Sequence, residues 1–175
     1  MQRQMEALRQ EIAAHNPALV AQRCGAAFQG GALLFSFWGQ SVRVDWPAIQ
    51  PVYAESGRPC SVYDSSLLLY YLRTADGVPL ADRWVSFREL PAGGFYHQAF
   101  QGYSGERLAR ALGEAPERYA RAAHALGGMQ LTGLSGLAYA FQPLPRFPLA
   151  ALLWPGDDEF PARASILFDA NACHY

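Results

Sequence analysis

The chain has 175 residues, enough for one domain with a full core; 51 % are apolar and only 17 % charged, against about 25 % charged in an average soluble chain. All 14 basic residues are arginine, which excludes a lysine Schiff base, a Walker-A loop and the phosphate-pairing lysine of a kinase. Net charge is −1 with the arginines dispersed, so the concentrated basic face needed for nucleic acid is missing.

In chain order, Met1, Met5, Leu8 and Ile12 recur at steps of four, three and four and predict a helix over about 2–14. Asn16-Pro17 supplies a cap and a first-turn proline for a second helix over 17–24, which Gly25 ends. Gly30-Gly31 and Gly39-Gln40 are tight turns around "ALLFSFW" and the alternating "SVRVDW". Val42, Val44 and Trp46 there share one face of a three-stranded meander, with Ser41, Arg43 and Asp45 on the wet one. Prolines 47, 51 and 59 punctuate an extended stretch. Ser61 with Asp64 then resembles a capping box for a core helix with a Leu67, Leu68, Tyr71, Leu72 face, closed by Gly77.

"RWVSFREL", 83–90, reads as a short strand, and "PAGGFYHQAFQGYSG" as a glycine- and aromatic-rich loop. Ser104 is the expected cap of a helix with Leu108, Ala111 and Leu112 inward, ending at Gly113. Pro116 opens another with Tyr119, Ala122, Ala123 and Leu126 inward. Strands follow near 137–142, 148–154 and 164–169. The expectation is a single α+β domain over 1–175. It has a helical segment over about 1–25 and a mixed body over about 26–175, with four to five helices and a mainly antiparallel sheet of about six to eight strands.

No apolar stretch reaches the length of a membrane span, and the N-terminus lacks the apolar region of a secretory signal, so the protein reads as cytoplasmic. Cys24, Cys60 and Cys173 are odd in number and far apart, without a C-x-x-C pair. They read as free thiols in a reducing compartment rather than as a zinc or iron–sulfur site. No cofactor is required by the sequence. The surplus of apolar over charged residues points to a homo-oligomer or a protein partner.

"LLLYYLRTADGVPLADRWVSFRELPAGGFYHQAF" and "RFPLAALLWPGDDEFPARASILFDANACHY" resemble the bacterial and archaeal family of domain of unknown function 3786 over nearly the whole chain. The resemblance carries no established activity. Its members occur largely in anaerobes, and some are fused to a cysteine-rich iron–sulfur segment, which implies a setting in corrinoid, one-carbon or redox metabolism. This chain departs from those members in having no such cysteine cluster. Members also usually continue past His174-Tyr175 into another helix, so the resemblance implies a truncated or short member with an uncovered edge.

Three groups of residues carry chemical interest. Asp157, Asp158, Glu159, Asp169 and His174 offer oxygen and imidazole ligands, Asp157, Glu159 and His174 foremost for a metal, although neither Ca²⁺-loop nor His-Glu-x-x-His spacing is present. The structural alternative is a solvated turn at Pro155-Gly156-Asp157-Asp158. Glu159, Asp169 and His174 are the candidate acid–base residues. Glu159 abuts Phe160-Pro161, where an apolar setting would raise its pKa, and its alternative is an ion pair with Arg163 or Arg146. Trp84, Arg88, Tyr96, His97 and Trp154 are candidate ligand contacts. Phe87, Glu89, Phe95 and Phe100 lie beside them in the aromatic segment, whose rings serve either to stack on a planar ligand or to complete the core. "GYSGE" and "GLSGL" fail the nucleophile elbow, adjacent Cys173-His174 cannot form a dyad, and no dinucleotide fingerprint follows a strand. Three functions follow: an accessory domain binding a small molecule, cofactor or partner in anaerobic cofactor or one-carbon metabolism; an enzyme with a carboxylate/His acid–base or metal site; and a purely structural interaction module.

Overall fold

The computed structural model describes residues 2–175, so Met1, the first member of the expected N-terminal helix face, lies outside the described residues. The fold is α+β with antiparallel strands, as expected, and the strands are divided between a four-stranded and a five-stranded sheet. The chain forms two compact units.

The first unit runs to Pro79 and includes residues 143–146 and 174–175. It holds helices α1 (Gln2–Ala13), α2 (Pro17–Cys24) and α3 (Val62–Thr74) and strands β1 (Ala27–Gln29), β2 (Ala32–Phe37), β3 (Gln40–Asp45) and β4 (Gln50–Tyr53), paired in sequence order. The Asn16 side chain accepts from the amides of Ala18 and Leu19, satisfying two of the orphan donors at the start of α2. Gly25 ends α2 in the left-handed region. Met5, Leu8 and Ile12 are buried as the α1 periodicity required, and α1 packs on α3. Val42 and Val44 are fully buried while Ser41, Arg43 and Asp45 face water. Each buried valine contributes about 1.5–3 kcal/mol over an exposed one.

Asp64 ties down the start of α3, taking hydrogen bonds from the Ser61 and Tyr53 hydroxyls while Ser61 Oγ accepts the Asp64 amide. Two expectations fail on this helix. Leu67 is half-exposed, because the buried face runs through Ser65, Leu68, Leu69, Tyr71 and Leu72 instead. The helix also ends at Thr74, three residues before Gly77.

The second unit spans 80–142 and 147–173. It contains β5 (Trp84–Ser86), α4 (Gly93–Tyr103), α5 (Gly105–Leu112), α6 (Pro116–Ala125), β6 (Met129–Gln130), β7 (Leu137–Leu144, whose last residues belong to the first unit), β8 (Phe147–Trp154) and β9 (Arg163–Asp169). Sheet order is β5-β9-β8-β7-β6. One face carries Tyr139, Phe141, Ala151, Leu153 and Ala164 beneath Leu108, Ala109 and Leu112 of α5 and Tyr119 and Ala123 of α6. The Tyr119 hydroxyl donates to the Ala151 carbonyl at 2.6 Å, so the phenol is buried with its polar end satisfied.

The segment expected as a loop is helix α4. Gly93 is needed there for close approach: a Cβ would sit 1.8 Å from the Phe87 carbonyl oxygen. Past Gly94 the chain holds no breaker until Gly102. Phe100 anchors the helix by stacking on Phe87 at 4.3 Å and meeting Phe168 at 5.7 Å. Gly93, which reads as a loop signal, is thus a packing device. The expected strand 83–90 is shorter for a related reason: Glu89 accepts the Ser86 amide and hydroxyl at 2.8 and 2.7 Å, which bends Phe87–Glu89 into a 3-10 turn. These bonds hold the Glu89 carboxyl below its ordinary pKa. Ser104 does not cap α5; its hydroxyl turns back to the Phe100 carbonyl of α4. Ala111, Ala122 and Leu126, expected inward, are exposed, because the helices bury narrower stripes than the apolar pattern suggested.

Candidate functional site

The second face of the five-stranded sheet is the one opposite α5 and α6. Alternation along β8 puts Pro148, Ala150, Leu152 and Trp154 on one side, and the β8–β9 register sets Leu149 opposite Phe168, hence Pro148 opposite Asp169. The β5–β9 register sets Trp84 opposite Asp169. Trp84, Asp169 and Pro148 therefore form one row across three strands. Deeper along this face Ala138, Ala150 and Leu152 are buried under Leu131, Leu134 and Trp154. At the Asp169 end the cover thins, leaving a pocket of about 370 Å³. Its walls are mostly apolar, with Trp84, Met129, Leu131 and Pro148 prominent, and its polar groups are Asp82, Arg83, Gln142 and Asp169. That size and balance suit a small-molecule site.

Asp169 is 3 % exposed. Its Oδ1 accepts the amides of Ala81 and Asn171, both at 2.9 Å, so one carboxylate oxygen ties the segment before β5 to the turn after β9. Both bonds use Oδ1, neither uses Oδ2, and Asp169 lines the pocket. Trp84 and Asp169, read from the sequence on separate grounds, are thus brought together. The sequence reading missed Leu80, Asp82, Arg83, Met129 and Gln142. The available signal was strand parity, which places Pro148 and Asp169 on the face opposite α5 and α6.

The acidic segment "PGDDEF" is a turn. Asp157 Oδ1 accepts the amides of Glu159 and Phe160 at 3.0 and 2.7 Å, and the Asp157 amide donates to the Phe160 carbonyl. This is the role for which turns select aspartate. The turn forms one wall of an open cleft of about 940 Å³, lined also by Glu106 and Arg110 of α5, Glu114 of the link that follows, Arg118 of α6, and Arg163. Trp154 donates to the Ser135 hydroxyl and lies 5.4 Å from the Arg163 guanidinium, in a cation–π contact.

Glu159 is exposed, and among the described residues it forms no ion pair with Arg163 or Arg146. It precedes β9 while Asp169 ends it, and six residue steps along that strand span about 20 Å. His174, in the first unit, pairs its Nδ1 with Asp76 Oδ2 at 2.6 Å. Val78 donates its amide to Asp76, and Tyr175 donates its hydroxyl to the Val78 carbonyl. The Val78 amide first, and His174 second, hold the Asp76 carboxyl below its ordinary value. Arg88 is exposed in the 3-10 turn, Tyr96 is exposed on α4, and His97 is half-buried with Nδ1 shielded and unbonded. Among the described residues no three His, Cys, Asp or Glu side chains group as metal ligands. Cys24 is buried, and desolvation pushes its thiol up to about 11, an inert setting; Cys173 is exposed.

A two-sheet α+β chain with a small apolar pocket, and no helix among the described residues long and apolar enough to cross a membrane, is the class that fold and site define. The family model described as "Domain of unknown function (DUF3786)" matches residues 16–175, and the chain belongs to that family. No curated protein and no solved structure matches it.

Proposed function

We propose that this chain is an accessory domain that binds a small molecule in the pocket between Trp84, Asp169 and Pro148. One observation carries the reading: a nearly buried carboxylate opens on an apolar pocket of about 370 Å³ beside an indole ring. Apolar walls with a few oriented polar groups are the general composition of ligand sites. The setting in anaerobic cofactor or one-carbon metabolism rests on the family resemblance, and a cytoplasmic location on the three free cysteines, which fit a reducing compartment. The acid–base reading loses support because Glu159 lies in the turn before β9 and Asp169 at the far end of that strand, whose six residue steps span about 20 Å, while acid–base transfer needs hydrogen-bond reach or one bridging water. Native mass spectrometry of protein taken anaerobically from its host tests the proposal. A retained small molecule whose occupancy falls in Trp84→Ala supports it. Protein that carries nothing, and whose melting temperature no small molecule raises, refutes it.

Partner binding has its own support. Helix α4, "GGFYHQAFQGY", contains no charged residue and leaves Phe95 92 % and Tyr96 67 % exposed. An uncharged helix with exposed aromatics suits a protein contact. Phe95→Glu would then lower the mass measured by light scattering across a concentration series; an unchanged mass in wild type and variant at all concentrations removes a homo-oligomer through this helix.

A further inference from the structure

Resting on the reading of the Trp84–Asp169 pocket as a ligand site, we propose that its ligand class is a flat apolar body bearing a protonated amine, held by Asp169 Oδ2 with the Trp84 ring alongside. The charges in the lining favour a cation. Asp82 and Asp169 supply two carboxylates against one guanidinium, that of Arg83, and the field of Arg83 also acts on Glu89 outside the pocket. The pocket is therefore left net negative.

The bonding of Asp169 sets where the amine binds. Oδ1 is occupied by the amides of Ala81 and Asn171. These two amides fix the carboxylate in place without help from a ligand, so Oδ2 is oriented before the ligand arrives, and a preorganised acceptor loses little entropy on binding. A charge-assisted N⁺–H···O⁻ bond in an apolar surround is stronger than a neutral one, because nearby water is displaced. Trp84, opposite Asp169 in the strand register, offers the best ring face for a cation or an aromatic body. Pro148, opposite Asp169 on its other side, and Leu131 and Met129 supply flat or flexible apolar wall for the rest of the molecule. A carboxylate-bearing ligand would meet Asp82 and Asp169 and be repelled.

Three probes that share one indole ring and differ in the charge of the C3 substituent separate the possibilities by calorimetry on the full chain: tryptamine, 3-methylindole and indole-3-acetate. Tryptamine should bind at least tenfold more tightly than 3-methylindole, and indole-3-acetate more weakly still. Asp169→Asn retains an oxygen able to accept the Ala81 and Asn171 amides, so the fold is kept while the anion is lost. In that variant tryptamine should fall to the level of 3-methylindole. Nuclear magnetic resonance on the wild type gives a second readout that needs no variant: tryptamine should shift the backbone amides of Ala81 and Asn171 and the Trp84 indole N–H. Equal binding of the neutral or anionic probe, or tryptamine shifts that fall elsewhere, overturns the amine class and leaves the pocket reading standing. No binding by any of the three at millimolar concentration overturns both.

Discussion

Replacing Asp169 with alanine is the sharpest test of how the second unit is held. The carboxylate is 3 % exposed and takes two amides at 2.9 Å, from Ala81 and from Asn171. A hydrogen bond to a charged acceptor contributes about 1.5–3 kcal/mol net, and leaving a partly buried donor unpaired costs a similar amount. Ala81 lies in an exposed stretch, so water can replace the lost acceptor there, whereas Asn171 is half-buried. One bond is therefore lost nearly in full and the other in part, about 2–4 kcal/mol for Asp169→Ala. Asp169→Asn preserves an oxygen for both amides and loses only the charge, and should cost about 1 kcal/mol. Urea unfolding followed by circular dichroism, with the slopes compared to confirm one transition, measures both. If alanine costs less than about 0.5 kcal/mol, the range of ordinary surface substitutions, or if asparagine costs as much as alanine, the two-amide clamp is not what Asp169 provides.

The remaining predictions concern a glycine pair and an ion pair. Gly93→Ala places a Cβ 1.8 Å from the Phe87 carbonyl and should destabilise by at least about 1–3 kcal/mol, while Gly94→Ala meets nothing within 4 Å. In a helix Gly94→Ala should gain up to about 1 kcal/mol, so thermal melts of opposite sign are expected and shifts of equal sign refute α4 as built. Asp76 has a folded pKa below its unfolded one, so its contribution is present above the ordinary carboxylate value of 3.8 and is lost as pH falls through the lowered folded value. Melting temperature followed from pH 6 to 2.5 should fall less steeply at the acid end in Asp76→Asn than in wild type, and an identical acid limb would contradict the Val78 and His174 contacts.

Much of the scaffold was legible because it is local. The α1 face, the Asn16-Pro17 start of α2, the Ser61 cap of α3 and the alternation of β3 are set by residues within a turn or a strand of one another. The turn at "PGDDEF" belongs with them, since Asp157 bonds amides two and three residues ahead. Helix α4 was illegible because its Gly93 answers to Phe87 and its anchor Phe100 answers to Phe87 and Phe168, contacts that sequence spacing does not reveal.

The pocket depended on the tertiary structure for the same reason. Composition, periodicity and capping chemistry decided the α+β class, the antiparallel strands and the absence of lysine chemistry from the amino acids alone. Trp84 and Asp169 are 85 positions apart, and nothing between them announces a shared site. Only the pairing of β5 with β9 sets them opposite each other, and α5 and α6 pack on the other face of the sheet. A strand's register and a sheet's free face are settled by which surfaces bury one another, and that is a property of the folded chain rather than of any segment of it.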